Sequence, residues 1–544
     1  MADRPTNSWT PFLFAVTLAI GLFVGYRLQS AAPLITDSAS VAGAANNRVS
    51  EILRYIDARY VDEADQNQLL DAATRAIMDD LDPHSSFIAA EDLAALTESM
   101  EGNFDGIGIE FLVVDDTITV VSAMVDGPSY VAGIEPGDQI IMVEDSVVTG
   151  VTEFGIDPAS LMKGPSKTTV NVTVRRPGTP ENLNFALERA PIPVVSVDAA
   201  YKLDENTAYI RINRFSATTY DEFIQALEAQ LELKGGHSVV IDLRDNPGGY
   251  LQQATKMLSQ LFPQKGELLV YTEGRSSRRV EYKTNGRAFY NIHNVAILIN
   301  EGSASASEIV AGAIQDHDRG IVVGRRSFGK GLVQEQYGLN DGSALRLTVA
   351  RYYTPSGRSI QRSYDEGEAD YRDDISRRYE SGELFDGNDA ERDSSLIYYT
   401  DNGYPVFGGG GISPDFFVPL DTTLNNETFL RLRNEIPAYL FGYVRRNSGV
   451  KAYESLEEFK NQFRPDLDRV IRDLTARAEA ELEDPLEPLP AALRTDLRQF
   501  FRARLARQLF GNSAFHEVIN ETDPIVTEAL RLLNGGDPIV EARK

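Results

Sequence analysis

The chain has 544 residues, room for three or four domains. At 42% apolar and 25% charged residues it is neither disordered nor fibrous. A formal net charge of -28 argues against nucleic-acid binding, and the lack of any cysteine excludes disulfides, thiolate nucleophiles and cysteine zinc sites.

From Pro5 to Tyr26 no residue is charged, and Trp9 and Tyr26 stand where aromatic rings suit a membrane interface. As a helix, Trp9–Leu28 would span about 30 Å, one hydrocarbon core. A cleaved signal peptide is the rival reading, but Pro33 directly after Ser30-Ala31-Ala32 disfavours cleavage. The expectation is a single-pass membrane anchor over residues 1–29, with the bulk of the chain outside the cytoplasm, in a periplasm or cell envelope.

A small-residue linker (30–45) leads to a helical region (46–101). There Val49, Ile52, Leu53, Ile56 and Tyr60 keep a helical period, as do Leu69, Ala73, Ile77 and Leu81. The second helix ends at Asp82-Pro83. His84 follows, and a lone histidine there reads as a local hydrogen-bonder rather than a catalyst.

Residues 102–189 form a small mixed domain. Ile107–Val114 and Thr117–Met124 are strand-like runs joined at Asp115-Asp116, and Ile140–Val143 and Thr168–Arg175 add further strands. The first strand starts through Gly106-Ile107-Gly108-Ile109. Its glycines can turn backbone N–H groups toward a carboxylate, and the strand edge beside it can accept an added strand. A tight turn into the strand is the plainer reading of the same residues.

Residues 190–364 alternate strands with helices, the mark of crossover units. Thr207–Ile212, Ser238–Leu243 and Asn294–Ile299 read as strands, and Tyr220–Leu233 as an amphipathic helix. The second strand runs into Arg244-Asp245-Asn246-Pro247-Gly248-Gly249. Residues 365–405 are an acidic insertion, and Asp365 to Asp393 carries twelve acids against four arginines, a composition that reads as solvated with little core. The chain returns to the core over 406–420. A helical tail (421–544) has Leu493, Leu497, Phe500, Phe501, Leu505 and Leu509 in one stripe, with Arg494, Arg498, Arg502 and Arg507 on a solvated side.

Two segments carry chemistry. Gly302-Ser303-Ala304-Ser305-Ala306-Ser307-Glu308 sits between a strand and a helix, so a serine there meets the helix N–H groups and dipole. The pattern Ser305-x-x-Glu308 is also that of a capping box. In Ser327-Phe328-Gly329-Lys330-Gly331-Leu332-Val333-Gln334 a lysine flanked by glycines can reach into a cleft, or simply point to water. Gly331 stands where a phosphate loop needs Ser or Thr, which rejects nucleotide binding. A serine–histidine arrangement would have to use His293 or His317, and the spacing supports neither.

Together these segments resemble the carboxyl-terminal processing peptidases, or tail-specific proteases. The likeness runs from Val49 to Pro419 through Arg244–Gly249, Asn300–Glu308, Phe328–Gln334, Leu347–Gly357 and Gly411–Asp415. It implies a multidomain α/β and α+β chain: a PDZ domain before an α/β serine-protease core, ClpP/crotonase-like, with helical regions at both ends. Carried over by motif, Ser305 is the nucleophile, Lys330 the general base and Gln334 the group that orients it. The oxyanion hole maps to the N–H of Ala306 and of Gly248 or Gly249, the choice between the glycines being open. Gly106, Ile107, Gly108 and Ile109 correspond to the PDZ loop that takes a peptide C-terminus. The implied function is a membrane-anchored serine endopeptidase, with its catalytic region extracytoplasmic, that cuts proteins with unfolded or exposed tails. No metal or organic cofactor is implied, and a homo-oligomer or a regulatory adaptor is compatible. The alternative is a PDZ scaffold that binds C-terminal peptides without cutting them. A free lysine has a pKa near 10.4, so the base must be buried and free of a close carboxylate.

Overall fold

The computed structural model describes residues 39–542, apart from 152–154, 156, 232–236, 366, 388–394, 481 and 483–484. The run Trp9–Leu28 therefore lies outside the described residues. The expectation of a single-pass anchor with an extracytoplasmic catalytic region is corrected: no helix among the described residues is long and apolar enough to cross a membrane. The chain divides into two compact units, 1–77 and 78–544. The first contains α1 (Ala39–Arg59), which begins inside the stretch read as linker, and most of α2 (Gln66–Asp79). The candidate site lies wholly in the second.

There the chain opens with β1 (Ser86–Ile88) and α3 (Ala90–Glu101). The small domain follows as β2 (Ile109–Val114), β3 (Thr117–Ala123), β4 (Gln139–Val143), β5 (Thr169–Arg175) and β6 (Leu183–Glu188). These pair in sequence order, so β2 is an edge strand. Asp115 and Asp116 both have positive φ (47° and 58°), which is what a two-residue hairpin turn needs to match the strand twist. Ile107, Ile118, Ile140, Val170, Val172 and Leu187 fill this domain's core.

The larger domain is built on a six-stranded sheet. Its strands are β7 (Val197–Lys202), β8 (Thr207–Ile212), β9 (His237–Asp242), β10 (Ile292–Ile299), β11 (Ile321–Gly324) and β12 (Phe416–Phe417). They neighbour in that order, and every pairing after β7–β8 is parallel. Burial on both faces explains the continuous apolar runs in β9 and β10. One face is covered by α4 (Thr219–Gln230), α5 (Leu251–Leu261) and α6 (Ala306–Asp316), with Phe223, Leu227, Met257, Leu258, Ile309 and Val310 packed beneath them. A long hairpin of β13 (Leu332–Gly338) and β14 (Ala344–Tyr353) stands in a second sheet, to which β1 adds through Ser86↔Arg346.

The acidic insertion differs from the sequence expectation. Tyr371, Asp374, Arg378, Glu383 and Leu384 are buried. Arg326 and Arg378 both pair with the Glu383 carboxylate, at 2.7 and 2.9 Å, and Arg362 pairs with Asp374. Arg326 and Arg362 lie outside the acidic run, so composition within the run cannot show these two pairings.

The tail also divides. Helices α7 (Glu427–Arg446), α8 (Leu467–Glu479) and α9 (Arg494–Phe510) share a core of Phe429, Leu432, Leu474, Leu497 and Phe501. Three arginines of α9 are engaged in ion pairs: Arg494 with Asp468, Arg502 with Glu521, and Arg507 with Glu110 of β2 at 2.7 Å. Helix α10 (Pro524–Leu533) leaves that bundle and covers the other face of the six-stranded sheet.

Candidate active site

Two loops leave the carboxyl ends of adjacent parallel strands, where open α/β sheets place their ligands. The register Asp242↔Leu298 puts the end of β9 beside that of β10. The Arg244–Gly249 loop and the Asn300–Ser305 loop therefore emerge side by side. Asn300 clamps them, receiving the Asp245 N–H at 2.8 Å and donating to the Asp245 carboxylate at 2.8 Å. The Ala304 N–H and the Ser307 hydroxyl both donate to the Asn246 carbonyl, each at 3.0 Å.

Ser305 is the residue before α6, with φ 55° and ψ −113°. A non-glycine residue in that region is strained and persists only where its surroundings hold it. The holding group is Glu308, fully buried. Its Oε2 accepts the N–H of Ser305 at 2.8 Å and of Lys330 at 2.9 Å. Its Oε1 accepts the Ser327 hydroxyl at 2.6 Å and the Gly329 N–H at 2.7 Å. Burial raises the Glu308 pKa, against the lowering effect of these four bonds. The capping box expected from Ser305-x-x-Glu308 is thus half of a larger device, since the same carboxylate ties the lysine loop to the serine loop.

Tyr352, on β14, acts from the other side. Its buried hydroxyl, held protonated by burial, faces the carbonyl of Ser305 at 3.0 Å and of Lys330 at 2.7 Å. One carboxylate and one hydroxyl therefore each span the main chains of Ser305 and Lys330.

The Lys330 ammonium donates to Gln334 Oε1 at 2.9 Å, and Gln334 Nε2 donates to the carbonyl of His84. Burial lowers the Lys330 pKa, and the nearby Arg346 charge lowers it further, while Glu308 and Asp82 oppose the shift. A carboxylate is thus closer than the sequence reading required. Its oxygens face backbone N–H groups and a hydroxyl, and the net shift remains downward.

The oxyanion candidates separate on hydrogen bonding. The Gly248 N–H donates to Asn246 Oδ1 at 2.9 Å. The N–H groups of Gly249 and Ala306 have no partner among the described residues. Gly248 packs so closely that an added Cβ would lie 2.7 Å from Ser305 Cβ and 2.8 Å from Ala306 N. Ser305, Ala306, Gly248, Gly249, Lys330 and Gln334 are therefore assembled by the loops, helix and strands of the larger domain.

Gly106, Ile107, Gly108 and Ile109 lie in the small domain. Gly108 has φ 71°, and the carbonyls of Ile107 and Gly108 accept from Ser129 and Met124 at 3.1 and 2.9 Å. The N–H groups of Ile107 and Gly108 have no partner among the described residues. Ile107 is buried in the domain core, and Ile109 stands partly exposed at the start of edge strand β2.

The histidines read as alternatives are engaged elsewhere. His317 bonds Asp401 at 2.8 Å and the Leu268 carbonyl at 2.7 Å, and His293 bonds Asn291 at 3.0 Å. Sequence reasoning missed Tyr352 and the second role of Glu308. The only signal was polar Ser327 three residues before Lys330, and it does not name its partner.

Residues 206–369 match peptidase family S41, and residues 106–187 match the PDZ domain. A carboxy-terminal-processing protease of Bartonella bacilliformis is 36% identical over 318 residues, 58% of this chain and 72% of that protein. Carboxy-terminal processing protease CtpB of Bacillus subtilis is 32% identical over 353 residues, 63% of this chain and 72% of that protein. Among solved structures, the photosystem II D1 C-terminal processing protease is 28% identical, covering 57% of this chain and 89% of that one at a TM-score of 0.32.

Proposed function

Because the chain belongs to the carboxy-terminal processing proteases, serine peptidases that carry a PDZ domain, we propose that Ser305 and Lys330 form its catalytic dyad. Neutral Lys330 takes the Ser305 hydroxyl proton as Oγ attacks the peptide carbonyl carbon. The oxygen that becomes negative is met by the N–H groups of Ala306 and Gly249. The Lys330 ammonium then gives its proton to the leaving amine, and the C–N bond breaks to leave an acyl ester on Ser305. Water, deprotonated by Lys330, attacks the ester carbon; the acyl C–O bond to Ser305 breaks, the Lys330 ammonium returns its proton to Ser305 Oγ, and the product bearing the new carboxyl terminus leaves. Gln334 aims the lysine. The observation that carries this reading is the double span of Glu308 and Tyr352 across Ser305 and Lys330, beside an amine whose pKa is lowered by burial. Two N–H donors in such a hole each lower the barrier by on the order of 3 kcal/mol.

The PDZ domain supplies the substrate class. The N–H groups of Ile107 and Gly108 receive the terminal carboxylate, and β2 takes the preceding residues as an added strand. Tethering the tail there raises the local concentration of the upstream peptide at the dyad. Only an unstructured protein end can reach such an edge.

One experiment tests both halves. Matched peptides with a free or an amidated C-terminus are incubated with the wild type, Ser305→Ala and Lys330→Ala. Neither variant should cleave, and amidation should lower kcat/KM of the wild type by roughly tenfold to a hundredfold, the worth of a charge-assisted hydrogen bond. Cleavage by a folded variant removes the dyad, and equal cleavage of the two peptides removes the carboxylate reading.

A further inference from the structure

The oriented end of the dyad continues beyond Gln334 into residues that no catalytic motif includes. An amide has one accepting and one donating end. The His84 carbonyl can only accept, so it faces Gln334 Nε2 and leaves Oε1 for the Lys330 ammonium. The His84 carbonyl thereby sets which way the amide points.

His84 is itself held from two directions. Asp82 Oδ1 accepts the N–H groups of His84 and Ser85, each at 2.9 Å. It also accepts the Thr348 hydroxyl at 3.1 Å, and Thr348 lies opposite Gln334 in the β13–β14 register. On the ring side, His84 Nε2 lies 2.7 Å from the Tyr371 hydroxyl. Burial, aided by the Lys330 charge, pushes the His84 pKa down to about 4, so the ring is neutral near pH 7 and Nε2 can accept the Tyr371 proton. The Tyr371 hydroxyl accepts in turn from Gln361 Nε2 at 3.3 Å, and Gln361 Oε1 accepts the Gly331 N–H at 2.9 Å. The Arg362 guanidinium stacks over the Tyr371 ring at 3.9 Å and the Phe328 ring at 4.2 Å. Tyr371 belongs to the short helix Glu368–Arg372 of the acidic insertion, yet it is 4% exposed. Its hydroxyl therefore reaches the lysine along two arms, through His84 and Gln334 to the amine, and through Gln361 to the next backbone N–H.

We propose that His84 and Tyr371 are positioning residues for Lys330, and that docking of the acidic insertion fixes the Gln334 amide that aims the base. This rests on the reading of Lys330 as the general base.

The test is a double-mutant cycle on the full chain with a peptide substrate. Tyr371→Phe keeps the ring and removes only the hydroxyl. It should lower kcat by roughly tenfold, the scale of one buried hydrogen bond, with KM within about twofold of the wild type. In a Gln334→Ala background the same change should cost less than about twofold, because the arm that ends on the amine is already cut and the arm through Gln361 ends on the Gly331 N–H instead. His84→Gln, whose amide can still accept from Tyr371, should retain more activity than His84→Ala. Melting temperature is measured for each variant, since a purely structural loss would lower it and persist undiminished in the Gln334→Ala background. A Tyr371→Phe enzyme at full kcat, or an equal loss in both backgrounds, overturns the coupling while an inert Lys330→Ala leaves the base in place. An active Lys330→Ala removes the base and the coupling with it.

Discussion

At the residue scale the proposed dyad turns on how a lysine is kept able to lose a proton. Burial disfavours its charged form, and Arg346, one strand away on β14, adds repulsion. Glu308 and Asp82 pull the other way, but their oxygens are occupied by N–H and O–H donors. Removing the Arg346 charge should therefore raise the Lys330 pKa. With a neutral lysine as the base, kcat/KM rises with pH as Lys330 deprotonates, so in Arg346→Gln the rising limb should move to higher pH while the plateau changes little. Rates measured across mildly acid to alkaline pH decide this, and a limb that stays put would separate Arg346 from the base. Ser305 and Lys330 stand out in the sequence because glycines and small residues around a polar side chain leave a local mark, whereas Gln334 enters only through the family resemblance. Neither Tyr352 nor the His84 carbonyl stands out in this way. A main-chain oxygen has no residue type to announce it, and Tyr352 sits in a strand whose pattern reports only burial.

At the element scale the loops after β9 and β10 matter more than the strands that carry them. Gly248 is held at φ 96° against Ser305, and its N–H is committed to Asn246. A Cβ there would be strained in φ and would lie 2.8 Å from the Ala304 carbonyl oxygen and from the Ala306 nitrogen, two backbone atoms that cannot move aside cheaply. Gly248→Ala should thus disturb Ser305 and the Ala306 N–H together. The expected result is at least a hundredfold loss in kcat, the scale of one lost oxyanion donor, with a Tm lowered by only a few degrees. An active Gly248→Ala enzyme would show that the loop has room to retreat. The elements themselves were well marked in sequence. Thr207–Ile212 is a strand over those same residues, and the Asp115-Asp116 turn closes the hairpin between the two runs read around it. The insertion was misread for a definite reason. Two of its buried acids, Glu383 and Asp374, pair with Arg326 and Arg362, which lie before it in sequence, and long-range pairing leaves no periodicity to detect.

At the scale of the whole molecule, α10 links the far end of the chain to the catalytic sheet. Ile525, Val526, Ala529, Leu532 and Leu533 pack against Tyr209, Val240, Ala296, Leu298 and Val323. Those sheet residues stand on β8, β9, β10 and β11, which include β9 and β10, the strands whose ends carry the Arg244–Gly249 and Asn300–Ser305 loops. At its start, Asp523 caps the helix through the N–H groups of Ile525 and Val526 and pairs with Arg244 at 2.7 Å, at the root of the Gly248–Gly249 loop. Burying four large aliphatic side chains contributes about 2 kcal/mol each, or roughly 8 kcal/mol together, comparable with the whole stability of a typical domain. Deleting residues 520–544 should therefore leave a chain that no longer unfolds cooperatively, read by near-ultraviolet circular dichroism and rapid proteolysis. Leu532→Ala provides the graded case, a single buried leucine whose loss should cost about 2–5 kcal/mol in urea denaturation. If the truncated chain kept a cooperative transition and peptide cleavage, the sheet face would be closed by something other than α10, and the tail would be dispensable to the site.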